Sequence, residues 1–443
     1  PPFTIAHRPD ELYSPYPLIG INQAHFVGLH TTSFSSKGIT PQIYFEWEVG
    51  ADERHPGQVH ISRLECAINC FMRRHPTFRS FVREDGMMQI SDPMPIFKVD
   101  KIHDWNGSNS ASAEAALHTR AEMMRVGPSA HTWPMFEIRV THTSASQSVI
   151  HVTVSLFLMD AMSDLILRQE LSMLYRALSE NQTLRLNDAS IEQVLGPSPN
   201  LLFRDYSIGL DEKLHLSAEY TRAKEFWLSR LSTLPSGPEI PMSVESKSVS
   251  GRFQNQHRWL SATEWRRAKS NCANYGVTVP AILLAAYSLI IARWSKNKRF
   301  LLNILQCLRH QVHPDVNRVV GNCSSTILCD INMESNVLGS PGLDFLTAVQ
   351  RVAKELSQNL EHASMSGVDV MQELNRTQGR TFQAVAPFIF TTPIGVEKGN
   401  SEVQTRDWMF QERFFSERVP HTACVNAIKS DPSGTACASL DII

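Results

Sequence analysis

The feature that most constrains the fold is a stretch in which a strand pattern changes directly into a helix pattern. From Ser148 to Leu158, apolar and polar residues alternate with the period of a strand. After the short segment "MDAM", leucines recur at 167, 171, 174 and 178 with the spacing of one helical face. These residues predict a strand, a tight loop around Asp160, and a helix capped by Ser163 or Asp164.

The same mixture of patterns recurs along the rest of the 443 residues and predicts an α/β fold. The polar stretch 181–200 ends in Gly196, Pro197 and Pro199 and predicts a crossover between two halves. We therefore expect an N-terminal lobe at 1–185, a linker at 186–200 and a C-terminal lobe at 201–443. Strands are predicted at 42–49, 300–308, 323–331 and 386–392, and helices at 61–76, 217–232, 263–275 and 279–295.

Charge and hydropathy exclude two classes of partner. Lys and Arg total 42 against 44 Asp and Glu, so the net charge of −2 provides no basic field for nucleic acid or an anionic membrane. The most apolar run, 277–292, is shorter than the ~20 residues that span a bilayer and predicts a buried helix.

The eight cysteines lack the paired spacing of a zinc site, so we expect free thiols in a reducing cytoplasm and no bound metal. The chain has neither an initiator Met nor a signal pattern, and we expect it to be a piece of a longer protein.

Several stretches resemble, in order, the condensation superfamily of nonribosomal peptide synthetases, and its heterocyclization subtype in particular. They include "YPLIGINQAHFVGLH" (16–30), "RHPTFR" (74–79), "YTRAKEFWLSRLSTLPSGPEIPM" (220–242), the segment 283–314, "VVGNCSSTIL" (319–328) and "PFIFTTPIG" (387–395).

The resemblance implies two chloramphenicol-acetyltransferase-like lobes in a V, with a central tunnel that two carrier proteins enter with phosphopantetheine arms. An upstream acyl thioester is condensed there with carrier-bound Cys, Ser or Thr, and the side chain then closes a ring with loss of water.

The subtype's site motif is DxxxxDxxS, and this chain has Ser155, Asp160 and Ser163 at the three positions. Leu156 stands where ordinary condensation domains have the second His of HHxxxDG, and a leucine cannot transfer a proton. The resemblance implies that Asp160 pairs with Arg309 across the lobe junction as a structural contact. A buried carboxylate without that partner would be costly.

For ring closure, the resemblance implies a Thr in an FTS motif and a late Asp. Thr391 matches the Thr, and Thr392 replaces the Ser. An ungapped alignment puts Ile428 at the late Asp, and Asp431, three residues on, is a further candidate. Losing a proton-transfer group typically costs ~10²–10⁴ in rate, so cyclodehydration is expected to be impaired.

We therefore expect an amide-forming condensation domain with catalytic candidates Thr391, Ser155, Asp160 and Ser163. Ser155 and Thr391 are expected to face an open, solvent-filled tunnel from opposite sides. The alternative is a catalytically silent platform that docks carrier proteins or recruits another enzyme. In either case, we expect a cytoplasmic protein with no cofactor bound by the domain. Its expected partners are the upstream and downstream peptidyl carrier proteins and adjacent synthetase domains, with no nucleic acid and no membrane.

Overall fold

The computed structural model describes residues 3–30, 40–50, 57–125, 127–181, 187–241, 254–334, 345–379, 385–392, 409–418, 424–430 and 436–442. Helices and strands are interleaved throughout, which confirms the predicted α/β class. The helices are α1 (Ile21–His30), α2 (Ile61–Arg74), α3 (Asn109–Arg125), α4 (Ala161–Glu180), α5 (Asp188–Leu195), α6 (Phe203–Lys213), α7 (Ala218–Arg230), α8 (Ala262–Asn274), α9 (Val279–Trp294), α10 (Phe345–Glu361) and α11 (Gly367–Thr377).

The strands form three sheets. A five-stranded sheet has the order β12-β2-β7-β6-β5, a six-stranded sheet has the order β10-β9-β11-β13-β14-β8, and a small sheet has the order β1-β4-β3. The bounds are β1 (Tyr16–Pro17), β2 (Gln42–Val49), β3 (Ser80–Val82), β4 (Met87–Ile90), β5 (Lys101–His103), β6 (Phe136–His142), β7 (Ser148–Ser155), β8 (Gln254–Leu260), β9 (Arg299–Cys307), β10 (Ser324–Asn332), β11 (Phe388–Thr391), β12 (Gln411–Arg418), β13 (Cys424–Ser430) and β14 (Ala436–Ile442).

Each large sheet has its own apolar core. The largest buried cluster combines β2, β6 and β7 with α2 and α4. A second cluster packs α9 and α10 against β9 and β10, and a third packs α7 and α11 against the same two strands. Residues near 201–210 and 312–323 also belong to the largest cluster, although they follow the predicted linker. The lobe boundary at residue 200 stays a prediction.

Strand β12, from the C-terminal part of the chain, belongs to the five-stranded sheet, because it pairs antiparallel with β2. Phe410, just before the strand, packs against Trp47 with ring centroids 5.2 Å apart. The backbone N–H of Met409 donates to the Ser172 hydroxyl at 3.2 Å. The two halves of the chain are therefore connected by strand pairing as well as by the covalent chain.

The predicted linker contains a helix. Within 186–200, α5 begins with a capping box in which the Asn187 side chain accepts from the Ser190 N–H at 3.0 Å and the Ser190 hydroxyl accepts from the Asn187 N–H at 2.9 Å. The helix ends at Gly196, where φ is +77°, a conformation that glycine adopts without strain. The Gly and Pro residues therefore mark the end of this helix, as punctuating residues do.

Within the described residues, no single helix is both long and apolar enough to cross a bilayer. Helices α8 and α9 meet that test of length and composition only as a pair, and the pair is bent by 103°.

An ion pair between the buried Glu46 and the partly exposed Arg120 lies on the side of the five-stranded sheet that faces α3. Arg120 donates from Nε and Nη2 to the two carboxylate oxygens of Glu46 at 2.7 and 2.6 Å. Tyr44 donates to Glu46 at 2.7 Å, and the Arg120 guanidinium stacks 4.0 Å from the centroid of Phe414 on β12. Burial alone would raise the pKa of Glu46, but the hydrogen bonds from His151 and Arg120 and the charge of Arg120 lower it to about 2.

This pKa shift predicts acid sensitivity. The carboxylate of Glu46 is favoured in the folded state, so its stabilising contribution is fully present above the ordinary pKa of 4.5 and is lost as the pH falls toward about 2. Glu46→Gln removes this titration, so its free energy of unfolding is expected to fall less steeply below about pH 5 than that of the parent. Urea unfolding at a series of pH values measures the slopes. Equal slopes would contradict the assignment.

Candidate functional site

Asp160 lies at the N-terminus of α4, after β7 and a short turn. It is the N-cap residue, and its Oδ1 accepts from the Ser163 N–H at 2.9 Å. The prediction that Ser163 or Asp164 caps this helix is therefore wrong. The helix begins three residues earlier than Asp164 because the Asp160 carboxylate satisfies a backbone donor of the first turn.

Arg309 forms a two-pronged ion pair with Asp160. Its Nη1 donates to Oδ2 at 2.9 Å and its Nη2 to Oδ1 at 3.0 Å, and the two side chains are 4% and 0% exposed. The N–H of Cys323 also donates to Oδ2 at 3.1 Å. Burial alone would lower the pKa of Arg309, but the charge of Asp160 raises it. The expected pairing is thus present, and it binds α4 to a loop 149 residues further along the chain.

Ser163 is completely buried and connects α4 to the loop at 319–323. Its hydroxyl lies within donating distance of Asp160 Oδ1 at 2.8 Å and of the Gly321 carbonyl at 2.9 Å, and it accepts from the Gly321 N–H at 3.0 Å. A Cβ at Gly321 would come within 2.2 Å of the Phe203 ring, so only glycine fits this approach. The contacts of Ser163 are those of a residue that fixes the loop.

Ser155 is the last residue of β7 and has no exposed surface. Its hydroxyl lies 3.4 Å from the Pro41 carbonyl oxygen, and the Leu158 N–H donates to the Ser155 carbonyl at 3.0 Å. The expectation that Ser155 faces a solvent-filled tunnel is therefore wrong in this structure. The turn after β7 folds back over the strand end and covers the side chain.

Leu156, the residue after Ser155, joins the two large sheets. It forms a small apolar cluster with Ile389 of β11, against which Ile43 of β2 and Leu305 of β9 also pack. This is the position at which the resemblance places a histidine in ordinary condensation domains. The structure puts an apolar contact there, so this position offers no group for proton transfer.

Asn322 ties the strand end at Leu156 to α1. Its side-chain nitrogen donates to the Leu156 carbonyl at 2.6 Å and to Asn22 Oδ1 at 2.9 Å. Its Oδ1 accepts from the Ser324 N–H at 2.9 Å. The partner Asn22 was not identified from the sequence, because nothing local to "GINQAH" indicates a contact 300 residues away.

Asn322→Asp is expected to destabilise the protein. A carboxylate has no hydrogen to donate, so the buried Leu156 carbonyl would lose its donor and face a negative charge, at a cost of ~1–3 kcal/mol. Thermal unfolding measures the loss, with Asn317→Asp in the 3-10 helix at 314–318 as the control, because Asn317 is partly exposed. A variant as stable as the parent would show that the amide donor is dispensable.

Thr391 ends β11 in the middle of the six-stranded sheet. It lies beside Leu305 of β9 and Ala427 of β13 in the strand register, and it is partly exposed. Thr392 follows it and is also partly exposed. Ile428 lies in β13, where the backbone alone is described, and Asp431 lies outside the described residues.

Two thiols flank the ion pair, of which Cys307 is partly buried and Cys323 is buried. Burial, and then the charge of Asp160, raise the pKa of Cys307 to about 12, although backbone N–H groups at the start of α4 act in the opposite direction. Burial likewise raises the pKa of Cys323 to about 12. Both are free cysteines and remain protonated near neutral pH, so neither has the thiolate character of a nucleophile.

A cleft opens beside the loop that carries Asn322 and Cys323, between α1, the end of α6 and the start of α11. Its lining includes Gln23, His310 and Ser366. Within the part of the chain that the structure describes, no group of three or more His, Cys, Asp or Glu side chains is placed to hold a metal ion.

Comparisons with known proteins agree with this geometry. The family model described as "Condensation domain" matches residues 47–423. The chain is 26% identical over 389 residues to pyochelin synthetase PchF of Pseudomonas aeruginosa, covering 88% of this chain and 20% of that protein. It is 25% identical over 388 residues to phenyloxazoline synthase MbtB of Mycobacterium tuberculosis, covering 86% of this chain and 25% of that protein. The chain thus spans a quarter or less of the length of these relatives.

Among solved structures, the chain is similar to the EpoB NRPS cyclization-docking bidomain from Sorangium cellulosum. The TM-score is 0.79 over 100% of this chain and 82% of that chain, at 23% identity. This likeness confirms the predicted two-lobed fold.

Proposed function

This chain belongs to the condensation-domain family, and from that premise we propose that it joins two carrier-bound substrates through an amide bond. The substrates are thioesters on phosphopantetheine arms, delivered by an upstream and a downstream peptidyl carrier protein of a longer cytoplasmic synthetase. The domain itself binds no cofactor in this scheme. The heterocyclization subtype is supported by its relatives, which include a protein named for phenyloxazoline synthesis and a bidomain named for cyclization.

One observation carries the proposal: the face of the six-stranded sheet that meets Leu156 is only partly covered. Leu305 and Thr391 lie side by side on the adjacent strands β9 and β11, and both are partly exposed. Both strands lie inside the six-stranded sheet, so the partial exposure of these two residues indicates space above this face. This supports a substrate tunnel between the lobes, lined by Thr391 on one side.

Amide formation depends mainly on positioning of the two substrates and less on proton transfer by side chains of the site. Two thioester-bound partners held in line gain most from proximity, and effective molarities reach ~10⁵–10⁸ M for well-oriented groups. Ring closure with loss of water requires proton transfer in addition. Ser155 is a buried hydroxyl and Leu156 is apolar, so neither supplies a base. We therefore propose that the domain forms the amide and closes the ring poorly or not at all.

The second candidate is the catalytically silent platform, and the apolar contact between Leu156 and Ile389 favours it. Those two side chains meet where the resemblance places a reacting group, and both are buried. On this alternative, the fold is kept to dock carrier proteins or to recruit another enzyme.

Acyl transfer distinguishes the two functions. The upstream carrier is loaded with a radiolabelled acyl group and the downstream carrier with Cys, Ser or Thr, and both are incubated with the domain. We expect the label to move to the downstream carrier, and heat-inactivated domain is the control. Label that stays on the upstream carrier with each of the three amino acids would support the platform and contradict amide formation.

A further inference from the structure

Helix α2 carries two free cysteines, Cys66 and Cys70, to which the proposed function gives no role. Residues four apart in a helix lie on the same face, with their Cβ atoms about 5–6 Å apart. Cys66 is partly exposed and Cys70 is buried, so the pair extends from the surface into the core. The two thiols are therefore neighbours at a place that solvent reaches.

A hydrogen bond joins the two thiols. The Cys70 thiol donates it to the sulfur of Cys66 and lowers the pKa of Cys66 to about 7, although burial acts in the opposite direction. The same bond and burial raise the pKa of Cys70, while the charge of Arg73 acts against them. The two sulfur atoms are therefore in contact, with one proton between them.

The geometry of the helix favours a bridging atom over a disulfide bond. A disulfide requires Cβ atoms about 3.5–4.5 Å apart, which is closer than residues four apart in an intact helix approach. Helix α2 packs against α4 in the largest apolar core, so unwinding α2 to close a disulfide would disrupt that core. A cation that replaces the shared proton bonds to both sulfur atoms and leaves the helix intact.

The number and the softness of the ligands specify the cation. A structural zinc ion takes four ligands. Within the part of the chain that the structure describes, no third His, Cys, Asp or Glu side chain is placed to complete such a site. Thiolates select soft ions such as Cu(I), which forms linear complexes with two thiolates. The complex carries a negative charge, which the nearby Arg73 favours.

We propose that Cys66 and Cys70 form a two-thiolate site that binds one Cu(I) ion or another soft monovalent cation such as Ag(I). The cation bonds to both sulfur atoms, and the thiol protons leave to solvent without a change of oxidation state. The inference is independent of the proposed function. For this pair it replaces the expectation of no bound metal, which was drawn from the spacing that zinc requires.

Competition for Cu(I) between the intact, reduced domain and a coloured chelator tests the proposal. Cu(I) is supplied without oxygen as its bathocuproine disulfonate complex, and the loss of the colour of that complex measures transfer to the protein. We expect the parent to take up one Cu(I) per chain. Cys66→Ser and Cys70→Ala are each expected to weaken this binding ~10²–10⁴-fold, the range by which two linked binding groups exceed one alone.

Cys272→Ala is the matched control for Cys70→Ala, because Cys272 is a buried free cysteine and α8 contains no second cysteine. It is expected to bind Cu(I) as the parent does. Thermal unfolding gives a second readout, since a ligand that binds only the folded state raises the melting temperature. We expect Cu(I) to raise the melting temperature of the parent and of Cys272→Ala, and not that of Cys66→Ser.

Cys66→Ser keeps the test usable even if Cys70→Ala does not fold, because Cys66 is partly exposed and serine is of similar size. A parent that takes no Cu(I) from the chelator would overturn the proposal. So would a Cys66→Ser protein that takes Cu(I) as the parent does, or an equal loss of binding in Cys272→Ala.

Discussion

Asp160→Asn is expected to lose about 3–5 kcal/mol of folding stability, because it leaves the buried Arg309 guanidinium without a counter-charge. The substitution keeps the size of the side chain. It removes the negative charge and replaces one acceptor oxygen by an NH2 group. Arg309 cannot become neutral to relieve the cost, because its pKa lies far above the physiological range. Urea unfolding monitored by circular dichroism gives the free energy directly.

Asp85→Asn is the matched control for this experiment, since Asp85 pairs with Arg83 at the surface and both are about half exposed. It is expected to be close to the parent in stability, because water screens a surface ion pair. The double variant Asp160→Asn, Arg309→Met is expected to recover part of the loss, because the unpaired charge is then gone. An Asp160→Asn protein that unfolds like the parent and loses activity alone would overturn the structural role of the pair.

Arg120→Met is expected to have the second-largest effect, a loss of about 3 kcal/mol, because it removes the positive partner of the buried Glu46. Arg120 also stacks on Phe414 of β12, so its loss weakens the attachment of that strand to the five-stranded sheet. The methionine side chain retains the apolar packing of the arginine stem. The measurement is the free energy of urea unfolding near neutral pH.

Arg376→Met is the control, since Arg376 pairs with Glu373 on the exposed face of α11. It is expected to be close to the parent in stability. The prediction fails if Arg120→Met and Arg376→Met are equally stable, because Glu46 would then be stabilised sufficiently by Tyr44 and His151.

The central ion pair could be predicted from the sequence because Asp160 and Arg309 occupy the two motif positions that the resemblance pairs. Asp160 and Arg309 are both retained, and the structure joins them. The strand, loop and helix around Asp160 followed from a change in hydrophobic period. The structure differs in the capping residue and in the end of the strand, which is Ser155 and not Leu158. Local patterns of this kind are readable because they depend on neighbours in the chain.

The rest of the site depends on contacts between distant segments, which periodicity does not encode. Ser155 is buried by a turn and by Pro41, whose backbone position depends on the pairing of β2 with β7. The bond from Asn322 to Asn22 spans 300 residues. The position of Leu305 between Thr326 and Thr391 exists only in the register of the three strands β9, β10 and β11. The return of β12 to the first sheet is likewise a tertiary feature.

The intact mass of the downstream carrier protein, after incubation of the domain with both loaded carriers, is the most direct test of the central claim. The account predicts a mass increased by the full acyl group, which corresponds to an uncyclized amide that has not lost water. Ser155→Asp in parallel shows whether a carboxylate at the strand end restores ring closure. A carrier from the parent reaction that is lighter by one water at an ordinary enzymatic rate of ~1–10³ s⁻¹ would contradict the account, and so would a carrier that keeps its original aminoacyl mass.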